Sequence, residues 1–332
     1  MSRKSKQSFT PSEEQQALLP NVSGNKINGV GEDKVRRPSP VYWHKPDTIA
    51  HGAAQAWMTK RFNAVDELAG AYADRSARGP RELNPPAQEV VTNPPERWST
   101  LARMEALEAG ADLVGFTNLD PDWVFENHPM DRQLPNLVIL GAAMDFELFS
   151  AAPSSDEDPR SALEVADTYN RSARIAANVA NWIRNHGYDA EHHAGPWAGP
   201  IALTPAAIAA GLGELGAHGN LINDELGSSF RLSAVTTNMP FAMDAPRRFG
   251  ADEFCSRCQV CTNACPAGAI SNTKQMVRGV EKYYVDFDKC VPYFNETHGC
   301  GICLAVCPWS KPGRAAKLAE KFAVRRVGAA NQ

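Results

Sequence analysis

Eight cysteines occur in this chain, and all of them fall between Cys255 and Cys307. Disulfide staples of a secreted protein would be spread through the fold, so this crowding points to metal–sulfur chemistry. The first run is Cys255-x2-Cys258-x2-Cys261-x3-Cys265-Pro266. The second is Cys300-x2-Cys303-x3-Cys307-Pro308, with Cys290 ahead of it. Thiolates are soft anionic donors suited to iron, and a [4Fe–4S] cube takes four of them. Two-residue spacings let three consecutive cysteines curl round one face of a cluster, while the fourth, before proline, ligates the other cluster. The expected ligands are therefore Cys255, Cys258, Cys261 and Cys307 for one cube, and Cys265, Cys300 and Cys303 for the second. Cys290 is the one thiol left to complete it. CxxC pairs also serve structural zinc, but zinc sites seldom use a tight x2, x2, x3 run closed by proline. Two clusters with interleaved ligands make an electron relay.

A relay alone needs about 60 residues, and roughly 200 more precede it here, enough for a separate domain that would receive the electrons. With 332 residues, 43% hydrophobic, 22% charged and a net charge of −4, the chain is neither disordered nor a non-specific nucleic-acid binder. No apolar run reaches membrane-spanning length; the longest, Leu137 to Met144, is strand-sized. Residues 1–45 read as a tail or wrapping arm. Arg36-Arg37 suggests a twin-arginine leader, yet Pro38-Ser39-Pro40 follows instead of an apolar region, so the expected location is cytoplasmic.

Residues 46–245 alternate helical and strand patterns, an α/β or α+β layer structure. A helix is expected over Ile49–Ala73. A proline-rich connector, Gly79–Pro95, precedes a helix near Trp98–Ala109 with Leu101, Met104 and Leu107 on its stripe. Strands are expected at Asp112–Phe116, Asn136–Ala142 and Phe230–Thr237. Ser161–His186 forms the clearest amphipathic helix, with Leu163, Ala166, Tyr169, Ala173, Ala176, Ala180 and Ile183 three or four residues apart. A further helix is expected to start with Thr204 as its N-cap and Pro205 in its first position. Residues 246–312 form the double-cluster module. Residues 313–332 form a basic helix or tail; Lys311, Arg314, Lys317, Lys321, Arg325 and Arg326 run through this trailing segment around Glu320. It closes the fold or, alternatively, meets tRNA or an acidic electron donor.

Two other strings invite chemistry. Gly211-x-Gly213-x-x-Gly216 matches the dinucleotide fingerprint, but it follows a helical segment rather than a strand, so its context is wrong. Glycines there would instead let backbone approach a large flat ligand. His192-His193 reads as a solvent-facing or loop-capping pair. Arg171 and Arg174 read as solvated charges.

Phe254-Cys255, Cys265-Pro266-Ala267-Gly268-Ala269-Ile270, Lys289-Cys290 and Gly299-Cys300-Gly301-Ile302-Cys303-Leu304-Ala305-Val306-Cys307-Pro308-Trp309 resemble the C-terminal part of corrinoid-dependent reductive dehalogenases. Epoxyqueuosine reductases share this arrangement. The resemblance runs upstream through Arg231–Thr237, Ala210–Gly219 and the Tyr169 helix, covering roughly residues 110 to 312. It implies an α+β chain: a cobalamin-binding α/β core followed by a ferredoxin-like domain with two [4Fe–4S] clusters. The cobalamin would be held base-off, and no Asp-x-His-x-x-Gly string supplies a histidine ligand. Gly211, Leu212, Gly213, Gly216, His218 and Gly219 would contact it. Tyr169 would be the proton donor and Arg231 the cation that lowers its pKa. The activity implied is reductive removal of halide from a small organohalide, an aromatic one by preference. Electrons would come from an external ferredoxin or flavoprotein. Glu214 stands where the epoxyqueuosine branch has an aromatic, which favours the dehalogenase side. A tRNA-acting epoxyqueuosine-type reductase or another corrinoid-dependent reduction is the alternative.

Overall fold

Leu137 to Met144 is apolar on both faces because it becomes the middle of a sheet covered on both sides. The computed structural model describes residues 9–77, 83–129, 134–195 and 199–330, apart from the side chains of 75–77 and 324–330. Residues 1–8, the 79–82 part of the connector and the side chains of Arg325 and Arg326 thus lie outside the described residues. In chain order the main elements are α1 (Gly52–Phe62), α2 (Asp66–Ala77), α3 (Pro95–Glu108), β1 (Leu113–Asn118), β2 (Asn136–Ala143), α4 (Arg160–Asn185), β3 (Ala190–Ala194), α5 (Leu203–Ala209), β4 (Glu214–Leu215), β5 (Leu221–Ile222) and β6 (Phe230–Thr237). The cysteine region adds α6 (Ala251–Cys258), α7 (Val260–Ala264), β7 (Gln275–Val277), β8 (Val280–Lys282), α8 (Phe287–Glu296), α9 (Ile302–Ala305) and α10 (Ala315–Ala330).

The main sheet has the order β1-β2-β6-β3, and every pairing is antiparallel: Val138 faces Phe116 on one side and Val235 on the other, and Ala190 faces Thr237. The α+β class holds, but the expected α/β core is corrected. Parallel neighbours need crossover connections, and here each strand returns beside its partner in the opposite sense. Alternation splits the side chains between two cores. Val114, Phe116, Val138, Leu140 and Val235 pack on Trp98, Ile175, Val179 and Ile183 of α3 and α4. Leu113, Leu137, Ile139, Phe230 and Ala234 pack on Ile201, Ala206 and Ala207 around α5. A third core gathers Phe249, Ile270, Tyr283 and Trp309 with Cys255, Cys261 and Cys307, and α10 covers it with Ala315 and Leu318.

Several boundaries differ from expectation. The Ile49–Ala73 segment is two helices, interrupted where Asn63 ends α1 by donating to Thr59 O and Arg61 O. On α3 the buried stripe is Trp98, Ala102 and Ala106, whereas Met104 and Leu107 are exposed. Small alanines bring the helix close to its neighbours, so bulk was a poor guide to facing. Helix α5 starts at Leu203 with Ala202 as N-cap and no side-chain cap, leaving Pro205 within the first turn, where its missing N–H is harmless. His192-His193 lies on β3, a strand too polar to stand out by alternation.

The segment before α1 is an ordered arm. Gln15 is buried against α8, donating to Pro292 O (3.0 Å) and Glu296 Oε1 (2.8 Å) and accepting from Asn295 Nδ2 (3.0 Å). Asn25 Oδ1 accepts the Phe287 amide at 2.7 Å, and Tyr42 OH donates to Asn295 Oδ1 at 2.6 Å. Gly31 N donates to Met276 O at 2.8 Å, zipping the arm to the β7–β8 hairpin. Arg36 pairs with Glu32 at 2.6 Å, and Arg37 donates to the carbonyls of Val124, Phe125 and His128. Among the described residues no helix is long and apolar enough to cross a membrane.

Candidate functional site

Helix α4 carries Tyr169 because its apolar stripe turns that face toward the sheet. Strand β6 brings Arg231 up beside it. The Arg231 guanidinium carbon stands 5.5 Å from the Tyr169 ring centroid, over the ring face. Arg231 Nη1 donates to Phe230 O at 3.2 Å, while its Nε is buried with no hydrogen-bond partner. A buried, unsatisfied donor on a cation is costly unless something else accepts from it.

Both residues line a cavity of about 1430 Å³, larger than the roughly 300–1,000 Å³ of most small-molecule sites. Its walls come from α4, α5, the arm, the β7–β8 hairpin and the cysteine module. Cys290, Cys300 and Cys303 lie on the wall; Cys255, Cys258, Cys261 and Cys307 do not. A second cavity, about 300 Å³, shares Tyr169, Arg231, Thr204 and Asn220 with the first and adds Phe125, His193 and Phe230.

All eight cysteines are free thiols, and their mutual fields largely follow the spacing, except that Cys303 also feels Cys261. Burial pushes Cys255 up to about 12, with the charges of Cys307, Cys261 and Cys258 adding to the push. Cys307 rises to about 11 through burial, helped by Cys261 and Cys258. Burial takes Cys290 to about 12, with Cys300 and Cys265 acting the same way. Cys303 is raised well above the usual range by burial, then by Cys300 and Cys290. Thiols so placed resist ionisation alone; iron supplies the positive charge that holds them as thiolates. Among the described residues no three His, Cys, Asp or Glu converge as a single metal ion would require. A cube, with one thiolate on each of four irons, asks for a wider ring. The donor set fits two clusters, and the large cavity fits a corrinoid.

The glycine-rich stretch divides. Gly219 and His218 line the large cavity, with Glu214, Leu215 and Asn220. Gly211, Leu212, Gly213 and Gly216 are not part of its wall. A Cβ on Gly211 would come within 2.5 Å of Ala245 O, and one on Gly213 within 2.3 Å of Ile222 O, so close backbone packing accounts for these glycines. His218 is wholly enclosed: Nδ1 accepts the Asn220 amide at 3.2 Å, Nε2 lies 3.2 Å from Ser228 Oγ, and burial lowers its pKa to about 4.

Four residues depart from what sequence reasoning assigned to them. Glu214 Oε2 accepts the amides of Phe249, Gly250 and Ala251 at 2.8, 2.8 and 3.0 Å, capping α6, which carries Cys255 and Cys258. Its partners lie 35 residues and more downstream, and no local pattern announces them. Arg171 is a clamp rather than a solvated charge, joining Glu164 (3.2 Å), Asp167 (2.9 Å) and Ala143 O (2.9 Å). Arg174 likewise departs from a solvated charge, with a buried Nη1 that has no hydrogen-bond partner. His193 faces the sheet and the smaller cavity instead of solvent. Its Nε2 is 2.9 Å from Thr236 Oγ1, and burial, with the charges of His192 and His128, lowers it to about 4.

The family model of the 4Fe-4S dicluster domain matches residues 254–311. The tetrachloroethene reductive dehalogenase of Sulfurospirillum multivorans is 29% identical over 266 residues, 66% of this chain and 52% of that protein. The epoxyqueuosine reductase of Escherichia coli strain K12 is 33% identical over 129 residues, 34% of this chain and 31% of that one. A catabolic reductive dehalogenase solved with 3-bromo-4-hydroxybenzoic acid superposes with TM-score 0.73 at 25% identity, covering 92% of this chain and 46% of that one. A reductive dehalogenase structure described in terms of B12-dependent dehalogenation gives TM-score 0.74 at 25% identity, over 95% and 48% of the two chains. The chain spans about half the length of these dehalogenases.

Proposed function

We propose that this chain belongs with the reductive dehalogenases over the region it shares with them, and that it is a corrinoid-dependent enzyme that replaces the halogen of a small organohalide by hydrogen. The carrying observation is one cavity wall that joins Cys290, Cys300 and Cys303 to the Tyr169–Arg231 pair. The balance is R–X plus two electrons and one proton, giving R–H and X⁻. A corrinoid in the large cavity supplies the redox chemistry at carbon.

The chain's own residues do the rest. The group of Cys265, Cys290, Cys300 and Cys303, the last three of which line the cavity, is the inner step of the relay. The group of Cys255, Cys258, Cys261 and Cys307 is the outer step, facing an external ferredoxin or flavoprotein. Tyr169 holds the proton at its phenol oxygen. Arg231 keeps positive charge over the Tyr169 ring, and its orphaned Nε can donate to departing halide or developing tyrosinate. His218 and Gly219 are the part of the glycine-rich stretch that would meet the corrin. An aromatic substrate is supported by the bromohydroxybenzoic acid bound in the solved relative and by the apolar side chains of the smaller cavity, Phe125, Phe230 and Leu232.

Anaerobic reconstitution with iron, sulfide and cobalamin, then a screen of aryl halides and chlorinated ethenes for free halide, tests this. Halide release is expected, and Tyr169→Phe should lower it at least about 100-fold with iron and cobalamin content unchanged. Full activity in that variant removes Tyr169 from the chemistry. Retained corrinoid with no halide from any substrate overturns the dehalogenase reading.

A further inference from the structure

The β7–β8 hairpin closes through Arg278-Gly279, with φ of +49° and +74°, and Val277 paired to Val280. Two left-handed residues make a type I′ turn, whose first place ordinarily goes to Asn, Asp or Gly. A long side chain in that place is a strained choice, and such outliers cluster where function holds them. Arg278 sends Nη1 to Asn28 O at 2.9 Å. Beside it, half-buried, the Lys282 ammonium has no hydrogen-bond or ion-pair partner among the described residues. Burial, with the charge of Arg278, pushes Lys282 down to about 8, so most of it is still protonated at pH 7.

Arg36 adds a third positive charge to the neighbourhood, but its own donors are spent on Glu32, Ile27 O, Arg37 O and Ser39. Glu32 is paired with Arg36, though its charge also reaches Arg278. Glu281, next along the strand, is exposed. All three cations line the large cavity, and none lines the smaller one that holds the Tyr169–Arg231 end. Half-buried like charges cost folding energy unless an anion completes them.

We propose that Arg278 and Lys282 form an anion subsite on the arm-side wall of the large cavity that takes the phosphodiester of a corrinoid's nucleotide tail. This deepens the corrinoid reading above and rests on it. A planar guanidinium offers paired donors to phosphate oxygens, and an ammonium adds a mobile point charge. The substrate end of the cavity has its own cation in Arg231, and of the other cations on the large cavity's wall Arg247 and Lys274 are paired with Asp224 and Asp252 and Arg248 has an interaction of its own.

Equilibrium dialysis of the iron-replete protein with cobalamin, and with cobinamide, which keeps the corrin but lacks the phosphate and nucleotide, tests the subsite. The parent protein should bind cobalamin at least roughly tenfold more tightly. Lys282→Gln and Arg278→Gly should each remove about tenfold from cobalamin binding and leave cobinamide unchanged. Without corrinoid, Lys282→Gln should keep its iron and melt no lower than the parent, because an unpaired charge has gone. Equal binding of the two corrinoids by the parent, or variants that weaken both alike, overturns the subsite while the corrinoid reading stands. A marked fall in Tm for Lys282→Gln would also overturn it, marking Lys282 as a structural residue. Failure to bind either corrinoid overturns both.

Discussion

The carboxylate of Glu214 accepts three consecutive amides at the head of α6, and a negative charge at a helix N-terminus also meets the positive end of the helix dipole. Because α6 carries Cys255 and Cys258, this one side chain ties the outer thiols to the β4–β5 hairpin. Replacing it with Ala leaves three buried donors short of a partner. Glu214→Ala should cost about 2–3 kcal/mol, read as a Tm lower by several degrees in thermal unfolding. An unchanged Tm would show that water replaces the carboxylate at no cost. The dicluster module was legible because its cysteines are patterned by spacing along the chain, and residues 254–311 match the 4Fe-4S dicluster domain. Glu214 was not, since its partners are backbone amides brought to it by the fold. The same holds for Tyr169 and Arg231: period and alternation assign each a face, but not that the two faces meet.

Several elements long enough to show a period were read well, within a few residues at the ends. Helix α4 and strands β2 and β6 fall close to their expected positions because each buries a regular stripe. Strand β3 was invisible, since Glu191, His192 and His193 offer no apolar alternation and the strand owes its existence to pairing with β6. Sheet direction was also illegible, because helices between strands suggest crossovers whether or not the strands turn out parallel. The turn before β6 depends on close approach. Gly227 exchanges two backbone hydrogen bonds with Asn223 at φ +62°, and a Cβ on it would stand 2.1 Å from Trp309 O. Gly227→Ala should therefore push the sheet away from the Cys307-Pro308-Trp309 segment. A loss of roughly 2–4 kcal/mol is expected, with iron lost faster to a chelator than from the parent. Equal rates of iron loss would separate the turn from the cluster.

Across the whole molecule the proposed clusters would be structural as well as redox-active. Cys255, Cys261 and Cys307 are counted within the third core, and Cys265 and Cys303 pack against it. Stripping the iron leaves burial to hold raised thiols in a small core, whereas the two cores of the main sheet contain no cysteine. Chelation under reducing conditions should thus lower the first thermal transition and open residues 250–310 to proteolysis before the sheet region. Simultaneous loss of both regions would show a single cooperative unit.

The arm adds a consequence in time. Gln15, Ser23 and Asn25 dock on Pro292, Asp288 and Phe287, some 260 to 280 residues later, so during synthesis the earliest of these segments must wait, unanchored, until the latest has left the ribosome. Val35 and Arg36 belong to the cavity wall, and in that interval the wall lacks them. Until then the cavity stands open on its arm side, and a bulky guest can enter without the arm having to be pried away.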